Sequence, residues 1–132
     1  YNQFFKMSVY FFYKYNNFIT KTKKEIFMAI FVSLGVYSQK GADGIINGSS
    51  DRRAAMEKLV GSVGGKLIDY HITRGQYDFV MISEVDSFEA IAACALKAKA
   101  SGTLSEAITL ESVDLNKVRE MGNKVDFSPP TS

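Results

Sequence analysis

His71 is the only histidine in this chain of 132 residues. It lies in the run Lys66–Thr73, with Asp69 and Thr73 two positions away on either side. Residues two apart on a strand share a face, so a carboxylate and a hydroxyl flank the imidazole. A nearby carboxylate favours the protonated imidazole, and such a histidine can accept a proton from a bound molecule. His71 is therefore the one catalytic candidate. A second cluster follows at Gly75-Gln76-Tyr77-Asp78. Tyr77 offers a flat surface with a polar tip, and Asp78 can accept from turn amides or from Thr73 opposite it. Ser33 and Tyr37, from an earlier alternating run, could line the same cavity as His71. Ser33, Tyr37, Asp69, His71, Tyr77 and Asp78 form the candidate ligand-binding set, with Gly75 as the turn residue. Purely structural roles are open to each: a lone strand histidine is commonly a hydrogen-bonded interface residue, and Gly-Tyr-Asp suits a turn.

Other chemistries find less support. With one His and one Cys, no zinc site of the usual ligand types can be assembled in one chain, and no metal or cofactor is expected. Gly41, Gly44 and Gly48 match neither phosphate-binding glycine pattern. Cys94, between Ala93 and Ala95, reads as a small apolar filler in a reducing compartment.

These residues need elements to hold them. Ala29–Tyr37 alternates as a strand, with Ile30, Val32, Leu34 and Val36 on one face and Phe31, Ser33, Gly35 and Tyr37 on the other. Ser38–Ser50 reads as a long connection with one helical turn around Ala42–Ile46. Ser50 or Asp51 caps a helix whose stripe is Met56, Leu59, Val60 and Val63, and Gly64-Gly65 ends it. Arg52, Arg53 and Lys58 fall on its solvated face. A hairpin with its loop at Gly75-Gln76 pairs Thr73 with Asp78, Ile72 with Phe79, His71 with Val80, Tyr70 with Met81 and Asp69 with Ile82. That places Ile68, Tyr70, Ile72, Phe79 and Met81 on a core face. The other face, with Asp69, His71, Val80 and Ile82, is mixed. Asp86 caps a second helix and Glu89 completes a capping box. Ser105–Val113 alternates as a last strand, and Asp114 caps a short helix, Leu115–Met121.

The order β-α-β-β-α-β is the ferredoxin-like, split βαβ arrangement: an α+β fold with a four-stranded antiparallel sheet and two helices on one face. The uncovered face carries apolar residues, which a monomer would expose as a large patch. Packing the open faces of two chains together covers them. We expect a homodimer with a small cavity between the sheets.

Residues 1–27 differ from the rest. About twenty of the 27 are Phe, Tyr, Asn, Lys or Ile, and none is Gly, Ala, Leu, Asp, Arg or Pro. We read this head as translated upstream sequence, with Met28 the true start, residues 28–114 the folded domain, and residues 115–132 a short helix and disordered tail. The formal net charge is +2, but five of the sixteen basic residues and one of the fourteen acidic ones lie in the head. The remainder is −2, the wrong balance for nucleic-acid binding. No stretch reaches the ~18 apolar residues of a membrane span, so no membrane partner is expected and the protein is expected in the cytoplasm.

At Gly75-Gln76-Tyr77-Asp78 the chain resembles the GYD domain family of small dimeric α/β-barrel proteins. The opening strand with its Gly41 loop, Gly64-Gly65-Lys66-Leu67 and Tyr70-His71-Ile72-Thr73 extend the resemblance from Ile30 to about Val113. It departs at Gly102, which is followed by Thr103-Leu104-Ser105-Glu106 without the arginine of the family pattern, so an anion site there is not implied. The turn is also similar to the effector-binding domain of leucine-responsive regulators, where such a hairpin lies near an interface that binds amino acids. The resemblance implies a dimer and no established activity. The functional expectation is a small-molecule-binding or regulatory module. The alternatives are a cofactor-independent oxygenase or isomerase, and a structural oligomerisation domain.

Overall fold

The protein is seen in a computed structural model that describes residues 6–10, 12–14, 16 and 28–132. The reading of residues 1–27 as non-native falls mostly outside the described residues. From Met28 on, the elements are β1 (Ala29–Tyr37), α1 (Gln39–Ile46), α2 (Arg52–Gly61), β2 (Lys66–Ile72), β3 (Phe79–Val85), α3 (Phe88–Ala100), β4 (Leu104–Glu111) and α4 (Leu115–Gly122).

The four strands form one antiparallel sheet in the order β2-β3-β1-β4. This is the ferredoxin-like arrangement, with β1 and β3 central. Phe31, Ser33 and Gly35 of β1 are buried on one face, in register with Ser83, Met81 and Phe79 of β3. Val60 of α2 and Ile91 and Cys94 of α3 close over them, completing a core with Leu67 and Val85. Each large apolar side chain so buried contributes about 1.5–3 kcal/mol. Phe31 meets Phe88 edge-on at 5.9 Å. Phe79 lies between Tyr37 and Tyr70, with ring centroids 5.3 and 5.8 Å away. Gly35 makes room for it, since a Cβ there would stand 2.3 Å from the Phe79 ring.

The hairpin register is as expected from Asp69↔Ile82 through Ile72↔Phe79. The expected core face is corrected at its start. A bulge between Leu67 and Asp69 inserts Ile68 as an extra residue. Alternation breaks there, so Leu67 is buried opposite Ser83, and Ile68 is 40% exposed. Ile72, at the end of edge strand β2, is exposed as well. Helix α3 is capped by Ser87, whose side chain accepts from the Ala90 N–H, rather than by Asp86. The connection after β1 holds a two-turn helix, α1, longer than the single turn expected. Its cap Ser38 accepts from the Gly41 N–H and donates to the Gly102 carbonyl, tying α1 to the entry of β4.

Among the described residues, no helix covers the opposite sheet face. Val32, Leu34, Val36, Val80 and Ile82 are half-buried there, while Ile30 is 40%, Ile108 37% and Leu110 53% exposed. Next to it, α4 turns Leu115, Val118 and Met121 to solvent. Among the described residues, no helix is long and apolar enough to cross a membrane.

Candidate small-molecule site

The structure divides the candidate residues between the two sheet faces. Ser33 and Tyr37 lie on the helix-covered face; Asp69 and His71 lie on the other. The expectation that all four line one cavity is thereby corrected. The cause is register: Ser33 pairs with Met81 in the core, whereas Asp69 and His71 pair with Ile82 and Val80.

On the open face, Asp69 Oδ2 and His71 Nε2 are 2.9 Å apart. The Tyr70 N–H donates to Asp69 Oδ1, and Arg53 Nη1 stands 3.6 Å from the same oxygen. The His71 contact, then the Tyr70 amide, hold the Asp69 carboxyl below its ordinary range. The dyad is open to water, with side chains 60% and 42% exposed, and no described side chain bonded to it is a nucleophile. Exposed pairs of this kind are weak.

Under the helices, Ser33, Tyr37, Arg52, Met56, Cys94 and Thr103 help line a cavity of about 60 Å³. They come from β1, α2, α3 and the residue that precedes β4. Tyr37 ends β1, where the β1–β4 register shifts between Val36 and Tyr37. Its backbone N–H donates to Asp78 Oδ2 at 2.8 Å. The Asp78 N–H in turn donates to the Gly35 carbonyl at 2.8 Å. Asp78 thus clamps the end of β1 and does not satisfy the turn's own amides. Thr73 completes the loop, its N–H donating to the Asp78 carbonyl and its hydroxyl to the Tyr77 carbonyl. The connection between strands is six residues, Thr73 to Asp78, wider than a two-residue turn. Gly75, at φ +133°, occupies backbone space that L side chains avoid. Tyr77 is half-buried beside it and does not line the cavity.

The Tyr37 hydroxyl is hydrogen-bonded to that of Tyr70. Burial first, then this bond, push Tyr37 far above the usual phenol range, with Arg52 opposing. Burial also raises the Cys94 thiol, which donates weakly to the Leu59 carbonyl. Both are protonated at neutral pH. Arg52 opens α2 behind its cap Asp51. Its Nε is buried with no hydrogen-bond partner. The sequence had put Arg52 on a solvated face. The legible signal was the glycine-rich stretch preceding it, since a Cβ at Gly44 would come within 2.6 Å of Arg52 Nη2. Among the described residues, no group of three or more His, Cys, Asp or Glu could hold a metal ion.

Comparison with known proteins gives the family. The profile of the GYD domain matches residues 31–121. The chain belongs to the GYD domain family. No curated protein matches the chain significantly. Two solved structures are similar to this GYD protein. One, described as FFRP-DM1, is 17% identical, with a TM-score of 0.43, covering 65% of this chain and all of its own. The other, an uncharacterized NIPSNAP-like domain protein from Burkholderia xenovorans, is 17% identical, with a TM-score of 0.41, covering 80% of this chain and 92% of its own. In this GYD domain, the Tyr and Asp of the motif do different work: Asp78 places Tyr37 at the cavity, and Tyr77 stays in the loop.

Proposed function

We propose that this GYD protein is a homodimeric module that binds a small molecule in the cavity between its sheet and its helices. The observation that carries the reading is the cavity itself: mostly apolar walls with a few convergent polar groups, among them the unpartnered Arg52 Nε. Small-molecule sites have this composition. Tyr37 and Cys94 hold their protons, so the wall supplies donors rather than a base. This favours binding or regulation over the oxygenase or isomerase alternative. The open sheet face, with its exposed Leu110, Ile108 and Ile30, supports the second half of the reading, since pairing two such faces removes the patch from water. A single buried thiol suits the reducing cytoplasm. The test is a thermal-shift screen of small metabolites on the full chain, because a ligand held only by the folded state raises its melting temperature by mass action. A saturable rise that Tyr37→Phe or Arg52→Met weakens supports the site. A rise that neither change affects places the ligand elsewhere.

A further inference from the structure

The cavity's chemistry narrows what it takes, granting that it is the ligand site. Arg52 brings a cation to the wall, and among the described residues no carboxylate forms a salt bridge with it. The salt bridges among the described residues use Arg53, Glu57, Asp69 and His71, and none uses Arg52. A buried guanidinium donor without an acceptor is costly and calls for one. The surrounding chain is arranged to admit the group, with Gly44 leaving the lane that Nη2 occupies. Guanidinium geometry matches a carboxylate, which it binds through two parallel N–H donors. Tyr37 and Tyr70 share one hydrogen bond between two hydroxyls, which leaves one hydroxyl proton of the pair free to donate.

Among the other lining residues Ser33, Thr103 and Thr109 carry hydroxyls, and most of the rest are apolar. Met56, Leu59, Ala95 and Ala98 supply surface for an aliphatic tail and nothing that would hydrogen-bond a polar one. The volume, about 60 Å³, is roughly four times the ~15 Å³ that one water needs. That admits a molecule of about four or five non-hydrogen atoms. A single cation at the wall fits one negative charge better than the two of a phosphate. We propose that the cavity binds a short-chain aliphatic monocarboxylate, its carboxylate on Arg52 and its tail against Met56 and Ala98.

The five methionines provide the readout. Met56 and Met81 line the cavity, and Met121 on α4 is remote and exposed. The full chain carrying ¹³C-methyl methionine is titrated with propionate, propionamide, propanol and inorganic phosphate. The expected result is a saturable shift of Met56 and Met81 with millimolar propionate while Met121 stays still, and binding of propionamide and of phosphate at least tenfold weaker. Arg52→Met weakens propionate at least tenfold, Arg52→Lys less, and the surface change Lys58→Met leaves it unaltered. If Arg52→Met does not fold, the acid-against-amide comparison on the unaltered protein decides alone. Equal binding of propionamide or phosphate, or an Arg52→Met protein that binds propionate as before, overturns the proposal. Should propanol shift the two methyls and propionate not, the carboxylate inference fails and the cavity remains a ligand site. Silence of Met56 and Met81 with every probe removes both.

Discussion

Tyr37 is where fold and site meet. Its ring packs on Phe79, its hydroxyl meets Tyr70, and its backbone N–H is held by Asp78. The hydroxyl's raised pKa has a consequence for stability. Free phenols ionise near 10.0, so above that pH the unfolded chain releases a proton that folded Tyr37 keeps. Stability from this group is complete below pH 10 and falls as pH rises toward the folded value. We expect denaturation midpoints measured from pH 9 to 11 to fall more steeply for the unaltered protein than for Tyr37→Phe. Parallel curves would show that Tyr37 ionises alike in both states. Asp78 carries a second prediction. Asp78→Ala removes a charged acceptor from a half-buried amide, at a cost of about 1.5–3 kcal/mol. Urea unfolding checks this, and a loss under 0.5 kcal/mol would mean that water replaces the carboxylate without penalty.

The elements were legible in the sequence wherever period and caps agreed. β1, the α2 stripe, the hairpin register and the Asp114 cap of α4 all follow from alternation, 3.6-residue spacing or a capping side chain. What alternation could not reveal was the bulge at Ile68, since one inserted residue exchanges faces without altering the composition. Glycine content hid α1: Gly41 and Gly44 lower helix propensity, yet the element forms because Ser38 caps it and ties it to Gly102. At Gly41 a Cβ would stand 2.1 Å from the Thr103 carbonyl oxygen. That contact is with backbone, so Gly41→Ala must push α1 away from the entry of β4, costing ~1–3 kcal/mol. Gly44→Ala meets only the mobile end of Arg52, and is expected to unfold near the parent's midpoint while displacing the guanidinium. Equal melting temperatures for the two variants would contradict this distinction.

At the scale of the whole molecule, the described residues cover one side of the sheet more fully than the other. The helices seal Phe31, Met81 and Phe79, whereas Leu110 and Ile108 face outward beside the apolar side of α4. A stable pair of chains typically covers ~800 Å² on each partner, and the open face with α4 is the surface offered for it. Because Leu110 is half exposed, a single chain tolerates Leu110→Arg, while two packed faces would bury an unpaired charge. We expect sedimentation equilibrium to give a dimer for the unaltered protein and a folded monomer for Leu110→Arg. A monomer in both cases would remove the dimer from the account.

The two sheet faces offer different candidates, and they were not equally legible in the sequence. His71 drew attention because it is unique and flanked by a carboxylate. Arg52 did not, because a helical arginine beside Arg53 looks like solvated charge until the cavity is visible. The two faces carry separate reporters. During a screen of small metabolites, NMR can follow the methyl signals of Met56 and Met81 together with the imidazole signals of His71. We expect a saturable shift of the two methyls while His71 stays unchanged. A ligand that moves His71 and leaves both methyls in place would contradict it.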